Sequence, residues 1–302
     1  MIPGIIIAVL AIFLASVAIR AIQQRHTISN LRREREEIEI EEHRMFDFLH
    51  GLGETLALEN KAQAPLLHKV IVQGVTMVVE ARGGTLYLLE ESSGKLVPKY
   101  RSLACPPLIE IPDELAGEAA ANPQALDSYL RLTSIADGQG LLGHCLEHHE
   151  SMRIDDLGSS SFLNGSSATA HRNVSVMIAP LTYGDKDLGV LAVANDKTGS
   201  PFTRNDFDVF RSAAEQSAFA LGTSLVHNEV EAKRTLEREL KTAREVQKIL
   251  LPSAPPEIEQ FKIVGANSPA RLVSGDYYDY VKVDDLHYGI VVADVSGKGI
   301  AA

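Results

Sequence analysis

Apolar positions mark out five stretches of this chain before any chemistry is considered. Residues 5–19 form an apolar run broken only by Ser16, and Ile2, Ala21 and Ile22 extend it to nearly the length that spans a bilayer. No Lys or Arg precedes the run, whereas Arg20, Arg25, Arg32, Arg33 and Arg35 follow it. That asymmetry predicts a single-pass signal anchor over residues 1–22 in the inner (plasma) membrane, with the remaining domains cytoplasmic. A cleaved signal peptide is the competing reading, but its basic n-region is missing and the basic cluster lies on the other side.

From residue 23 to 52 the composition turns to Arg and Glu, with Ile28, Leu31, Ile38, Met45, Leu49 and Leu52 at three-, four- and seven-residue intervals. This heptad-like stripe predicts a helical stalk that pairs with a second copy, although Arg35 and Glu42 fall on the same seam. A lone solvated helix is the alternative. Residues 53–225 then alternate between helical and strand periods. Leu66, Leu67, Val70, Ile71, Val75, Val78 and Val79 line one side of a helix. GGTLYLLEE and GKLVPKYRSL, separated by a Ser-Ser-Gly turn, predict a hairpin. VSVMIAPLTY and LGVLAVAN predict a second one around residues 184–187, and the Ser/Gly-rich stretch 158–168 reads as a loop. FTRNDFDVFRSAAEQSAFALGTS closes the block as an amphipathic helix, with Thr203 as N-cap and Phe207, Phe210, Ala214 and Ala218 inward.

The fourth stretch, residues 224–251, is free of Gly and Pro and predicts a continuous linker helix stopped by Pro252, Pro255 and Pro256. Its broken apolar stripe (Val226, Val230, Leu236, Leu240, Ala243, Val246, Leu250) suits a partner helix, with a plain spacer as the alternative. The fifth lies in residues 257–302, where residues 288–293 predict a short buried strand and Asp276 and Asp294 sit at the ends of apolar runs. Carboxylates so placed are hard oxygen ligands suited to Mg²⁺ or Mn²⁺; taken alone, Asp294 could equally cap a turn or a helix.

Composition narrows the functional classes. The 302 residues are 45% hydrophobic and 23% charged, which is globular material for about two domains. A net charge of -11 argues against a nucleic-acid surface. Cys105 and Cys145 stand apart without C-x-x-C spacing, which indicates neither a metal clip nor a disulfide framework. His144 beside Cys145 and the pair His148–His149 are read as helix residues and not as haem or metal ligands, since no second ligand cluster accompanies them.

The block 53–225 resembles a GAF domain. The likeness rests on the G-x-x-G of residues 140–146, RIDD (153–156), the APL strand at 179–181, LGVLAVAN and the F-x-x-x-D of Phe202 and Asp206. The resemblance implies an antiparallel sheet flanked by helices that holds an unknown small ligand. The N-K…F-x-x-x-D-E signature of cyclic-nucleotide-binding members is broken, because Asp196 separates Asn195 from Lys197 and Phe207 replaces the final Glu.

The C-terminal segment resembles the opening of the metal-dependent protein phosphatase (PPM) domain, in the branch typified by SpoIIE and RsbU. AREVQKILLP (243–252), SPA (268–270), SGDYYD (274–279) and ADVSGKG (293–299) carry it, in that order. The resemblance implies a two-metal Mn²⁺ or Mg²⁺ centre held by Asp276, Asp294 and the carbonyl of Val295. The two aspartates would be the catalytic residues of a serine/threonine phosphatase acting on a regulatory phosphoprotein, such as an anti-sigma-factor antagonist. SGKG is not a nucleotide loop, since G-x-x-x-x-G-K-[ST] is absent. Arg271 is close enough in sequence to contact a phosphate but reads equally as a surface arginine. The family's later aspartates would fall after Ala302, so the 302-residue chain is expected to hold only the domain's beginning and to be inactive.

The expected architecture is therefore α/β (α+β): a transmembrane anchor (1–22), a stalk (23–52), a GAF sensor (53–225), a linker helix (226–256) and a PPM-type start (257–302). A homodimer joined through its helices is expected. The alternative is a non-catalytic sensor or scaffold; nothing resembles the catalytic motifs of two-component kinases or cyclic-dinucleotide enzymes.

Overall fold

The computed structural model describes residues 2–58, 63–112, 123–163, 173–196, 201–259, 261–269, 273–284 and 286–295. They fall into two units, Met1–Ser224 and Leu225–Ala302, each with its own sheet.

In the first unit five strands, β1 (Gly83–Glu90), β2 (Lys95–Arg101), β3 (Met152–Ile154), β4 (Ser175–Tyr183) and β5 (Lys186–Asn195), pair antiparallel in the order β2-β1-β5-β4-β3. The two hairpins foreseen from period-2 runs are present as β1–β2 and β4–β5. Pro98 is tolerated because β2 is an edge strand, where a missing donor breaks no ladder on the outer side.

Successive side chains of a strand point to opposite faces, and here both faces are apolar. Met177, Ala179, Leu191 and Val193 face one layer; Val176, Ile178, Val190 and Ala192 face the other. Such strands read as continuous hydrophobic runs because helices cover both sides. The first layer comprises the end of α1 (Ile2–Leu56), α2 (Gln63–Val78) and the start of α5 (Arg204–Leu250). The second contains α4 (Gly140–His148), with α3 (Pro123–Leu132) beside β2.

One residue breaks the alternation. Leu188 packs in the helix layer although its parity would send it to the opposite face, and the β4–β5 register shifts at Leu181/Thr182. This is a β-bulge, and Gly189 makes it possible. Its φ is 150°, and a Cβ there would lie 2.1 Å from the Tyr87 carbonyl oxygen. A second close approach fixes α5, where a Cβ on Gly222 would lie 2.1 Å from Cγ of Tyr183.

Thr203 caps α5 as expected: its Oγ1 accepts from Asp206 N (3.1 Å), while Asp206 Oδ2 accepts from Thr203 N (2.7 Å). Phe210, Ala214 and Ala218 are buried along its inner side, and Phe207 packs at the margin. The helix expected to close the block 53–225 and the expected linker helix are one element of 47 residues. The stalk is likewise part of a single helix, but Phe48 and Leu52 are core residues of the first unit. The boundary expected at residue 53 thus lies within a helix whose last turns already pack. Ile28, Leu31 and Ile38 remain exposed, whereas Leu66, read as inward, is 38% exposed.

Among the described residues no helix is long and apolar enough to cross a membrane. The expected anchor falls on residues 1–22, whose side chains, Arg20 apart, lie outside the described ones.

The second unit holds β6 (Asp276–Lys282) and β7 (Tyr288–Asp294), an antiparallel pair running from Asp276↔Asp294 to Lys282↔Tyr288. The strand predicted over 288–293 forms, but it is not buried: Val292 is 80% exposed and Ile290 59%. A two-stranded ribbon has no second layer of its own to cover those residues.

Candidate functional site

The hairpin brings together the two aspartates singled out from sequence. Val295 N donates to Gly275 O (3.0 Å), which makes Gly275 and Val295 a hydrogen-bonded pair. Asp276 and Asp294, one step inward, therefore form a non-hydrogen-bonded pair, the arrangement that brings side chains closest on one face, with Cα atoms roughly 4.5 Å apart. Like charges directly opposite one another destabilise a ribbon. A divalent cation would turn that repulsion into attraction.

Three further groups fix the Asp276 end. Ser274 Oγ donates to Asp276 Oδ2 (2.9 Å) and accepts from Asp276 N (3.1 Å). Asn267 Nδ2 donates to Asp276 O (3.1 Å). Ser274 is in turn held from α5, since its N–H donates to Gln247 Oε1 (3.2 Å) and its carbonyl accepts from Gln247 Nε2. None of these three was singled out from sequence. Gln247 and Ser274 both lie inside quoted motifs, but which side of the helix is covered, and so which polar residue matters, does not show in the sequence. A cleft of about 440 Å³ lies beside the pair, lined by Asn267, Asp276, Tyr278, Tyr280, Ile290 and Val292. Tyr277 Oη donates to Asp279 Oδ2 (3.1 Å), which raises the Tyr277 pKa and keeps Asp279 occupied on its own strand.

As a metal site the hairpin fits in kind and falls short in number. Two carboxylates and the adjacent Val295 carbonyl are hard oxygen donors of the type that Mg²⁺ and Mn²⁺ prefer. They make three donor groups where an octahedral ion takes six ligands. Among the described residues no group of three or more His, Cys, Asp or Glu could hold a metal ion. Arg271 and the SGKG residues 296–299 lie outside the described residues.

The first unit contains a second candidate, a cavity of about 570 Å³ between α3, α4 and the 108–110 segment. Leu108, Leu141 and Phe162 line it together with Glu110, Gln139 and His144, a wall of mixed polarity and of the size of a small-ligand pocket. His144 stacks on His148 with ring centroids 4.0 Å apart and tilts against Phe162. Cys145 is buried beneath, its thiol donating to Glu150 O (3.3 Å) and pushed up to about 12 by desolvation and the nearby Glu150 charge. Without a nearby cation that thiol stays protonated at neutral pH. The broken nucleotide signature has structural work instead: Asn195 Oδ1 accepts from Arg82 N (2.8 Å), Phe202 O accepts from Arg153 Nη1 (3.2 Å), and Asp206 caps α5.

The GAF domain family model matches residues 66–222, just over half of the chain. The chain belongs to the GAF family. The GAF domain of a phosphoenolpyruvate-protein phosphotransferase (ptsP) from Coxiella burnetii aligns with 62% of this chain and 98% of its own, at 14% identity and a TM-score of 0.45. Among curated proteins, the phosphoserine phosphatase RsbU of Bacillus subtilis (strain 168) is 36% identical over 99 residues, 32% of this chain and 29% of that protein. The phosphoserine phosphatase RsbP of the same organism is 37% identical over 70 residues, 23% of this chain and 17% of RsbP. Protein IcfG of Synechocystis sp. (strain ATCC 27184 / PCC 6803 / Kazusa) is 41% identical over 64 residues, covering 21% of this chain and 10% of IcfG. The chain thus spans less than a third of the length of each of these three curated proteins.

Proposed function

We propose that this GAF protein is a signalling phosphatase in which a small ligand at the GAF cavity regulates a metal-dependent serine/threonine phosphatase domain of the SpoIIE/RsbU type, opened by residues 257–302. The observation that carries the reading is Asp276 standing directly opposite Asp294 in a non-hydrogen-bonded pair. The four ordered motifs around it and the relatives named as phosphoserine phosphatases support it.

Asp276, Asp294 and the Val295 carbonyl would hold Mn²⁺ or Mg²⁺ in a two-metal centre. Such a centre supplies a bound water of lowered pKa and a clamp on phosphoryl oxygens. The chain's own share is positional: Ser274 orients the Asp276 carboxylate, Asn267 fixes its backbone, and the β6–β7 ladder sets its distance from Asp294. Substrates would be phosphoserine or phosphothreonine in a regulatory protein, an anti-sigma-factor antagonist being the expected kind.

Exposed Ile28, Leu31 and Ile38 on α1 and Val226, Val230 and Leu236 on α5 support a dimer paired along both helices. Anchoring through residues 1–22 belongs to the same reading and rests on their apolar sequence and the arginines that follow.

The test is phosphate release from a phosphoserine protein by this chain joined to a complete phosphatase domain, since the family's remaining ligands would fall after residue 302. Activity should require Mn²⁺ or Mg²⁺, and Asp276→Asn or Asp294→Asn should each remove at least about 100-fold, since an amide cannot supply the anionic oxygen. Full activity in Asp294→Asn would falsify the metal-site assignment and leave the sensor or scaffold reading.

A further inference from the structure

Between residues 232 and 250 of α5 almost every side chain is exposed; Leu240, Ala243 and Gln247 alone are partly covered, at intervals of three and four. They form one stripe along the helix. Two are apolar, as a packing stripe requires. The third is an amide, and it is spent on one backbone unit: Gln247 accepts from Ser274 N (3.2 Å) and donates to Ser274 O. A glutamine amide can do both at once, because it carries a donor and an acceptor side by side.

Ser274 passes the constraint on. Its hydroxyl donates to Asp276 Oδ2 (2.9 Å) and accepts from Asp276 N (3.1 Å), so both the rotamer of that carboxylate and the start of β6 depend on where Ser274 sits. Gly275, between them, accepts from Val295 N on the opposite strand. The connection runs Gln247, Ser274, Asp276, with no gap longer than a hydrogen bond.

We propose that Gln247 is a positioning residue that ties the α5 helix to the metal-binding carboxylate, so that displacement of the helix is read out as loss of metal affinity at Asp276. This rests on the metal-site reading above. It adds a route by which a helix movement can reach the chemistry, and it concerns ion affinity and not substrate contact. Outer-shell partners of this kind commonly change metal affinity by 10- to 100-fold when removed.

The experiment uses the intact full-length protein and two readouts. One is Mn²⁺ affinity, from the electron paramagnetic resonance signal of free Mn²⁺ during titration; the other is amide hydrogen exchange at Ser274. Gln247→Met keeps the length and helix propensity and removes both hydrogen bonds. It should weaken Mn²⁺ binding about ten-fold and speed exchange at Ser274, while amides in the middle of the β6–β7 ladder stay protected. Ser274→Ala should weaken binding to a similar degree, and the double variant should be no worse than Ser274→Ala alone, because the glutamine acts through the serine hydroxyl. Gln247→Glu, which keeps the acceptor but loses the donor to Ser274 O, should fall between parent and Gln247→Met.

Two failures are distinguishable. If the parent binds Mn²⁺ and Asp276→Asn abolishes it, but Gln247→Met leaves affinity unchanged or adds fully to Ser274→Ala, the positioning role is overturned and the metal site stands. If the parent binds no Mn²⁺ that Asp276→Asn removes, the metal reading itself is overturned, whatever the exchange data show.

Discussion

The two sheets of this chain are opposites. The five-stranded sheet is buried on both faces, with Leu191, Val193, Val190 and Ala192 at zero exposure, whereas the β6–β7 ribbon leaves Ile290 and Val292 largely in solvent. Strand propensity is similar in both, so it does not explain the difference. What differs is cover: in the first unit each face has a helical or loop layer, and the ribbon has none in its own two strands. A core strand is fixed by what packs on it, whereas a ribbon of two strands is marginal by itself and depends on specific hydrogen bonds such as those at Ser274 and Val295.

The sharpest way to break this comparison is a matched pair of glycine substitutions. Gly189→Val should cost more than about 4 kcal/mol, because its φ of 150° disfavours any side chain and the new Cβ would meet the Tyr87 carbonyl. Gly289, in β7, has its nearest neighbour 3.6 Å from the equivalent Cβ position, so Gly289→Ala should stay within about 0.5 kcal/mol. Chemical denaturation of each variant checks both; a mild Gly189→Val would show that the bulge can relax.

The next contrast is of truncations. Leu191→Ala removes a fully buried side chain and should cost about 3 kcal/mol, whereas Val292→Ala, at an 80% exposed position, should be nearly silent. A large loss at Val292 would mean that the ribbon is covered in the intact protein.

The smallest effect is one of pH. Burial first, and Lys99 second, lower the pKa of His68 to about 4 from an ordinary 6.5. Between those values the unfolded chain takes up a proton that the folded one refuses. The stability contributed by neutral His68 is therefore full above about pH 6.5 and is lost as pH falls towards 4. Because His68 is only partly buried, the discounted effect is on the order of 1 kcal/mol. The melting temperature of the first unit should drop between pH 7 and 4.5 by more in the parent than in His68→Gln.

Much of the fold was legible in the residues. The hairpins, the Thr203 cap and the continuous α5 follow from local periods and local hydrogen bonds, which a sequence displays directly. The opposition of Asp276 and Asp294 was only half legible: their motifs stood out, but that they pair across one ribbon is a matter of register. Less visible was whatever depends on what lies opposite. Phe48 and Leu52 continue the apolar pattern of the stalk, whose Leu31 and Ile38 are exposed, so the pattern could not say where packing begins. In α5 the apolar stripe pointed to Val246 and Leu250, yet these are 51% and 62% exposed, and Gln247 occupies the covered side. Period alone gives the stripe; the partner decides its phase.

The seat of Gly222 against Tyr183 has a mechanical consequence. The bulge turns Leu188 to the helix layer, so Leu181, Tyr183 and Leu188 together offer α5 an apolar bearing at the end of the β4–β5 hairpin. Only a residue without a side chain fits under that ring, and the residues one turn away on the same side of the helix, Ala218, Phe219, Leu225 and Val226, all carry one. Sliding α5 along its axis by one turn would drive one of those side chains into the ring, so the helix meets a steep wall on either side of Gly222. The contact acts as a detent: a side-chain-free notch holds the helix at one axial position and resists its neighbours on either side.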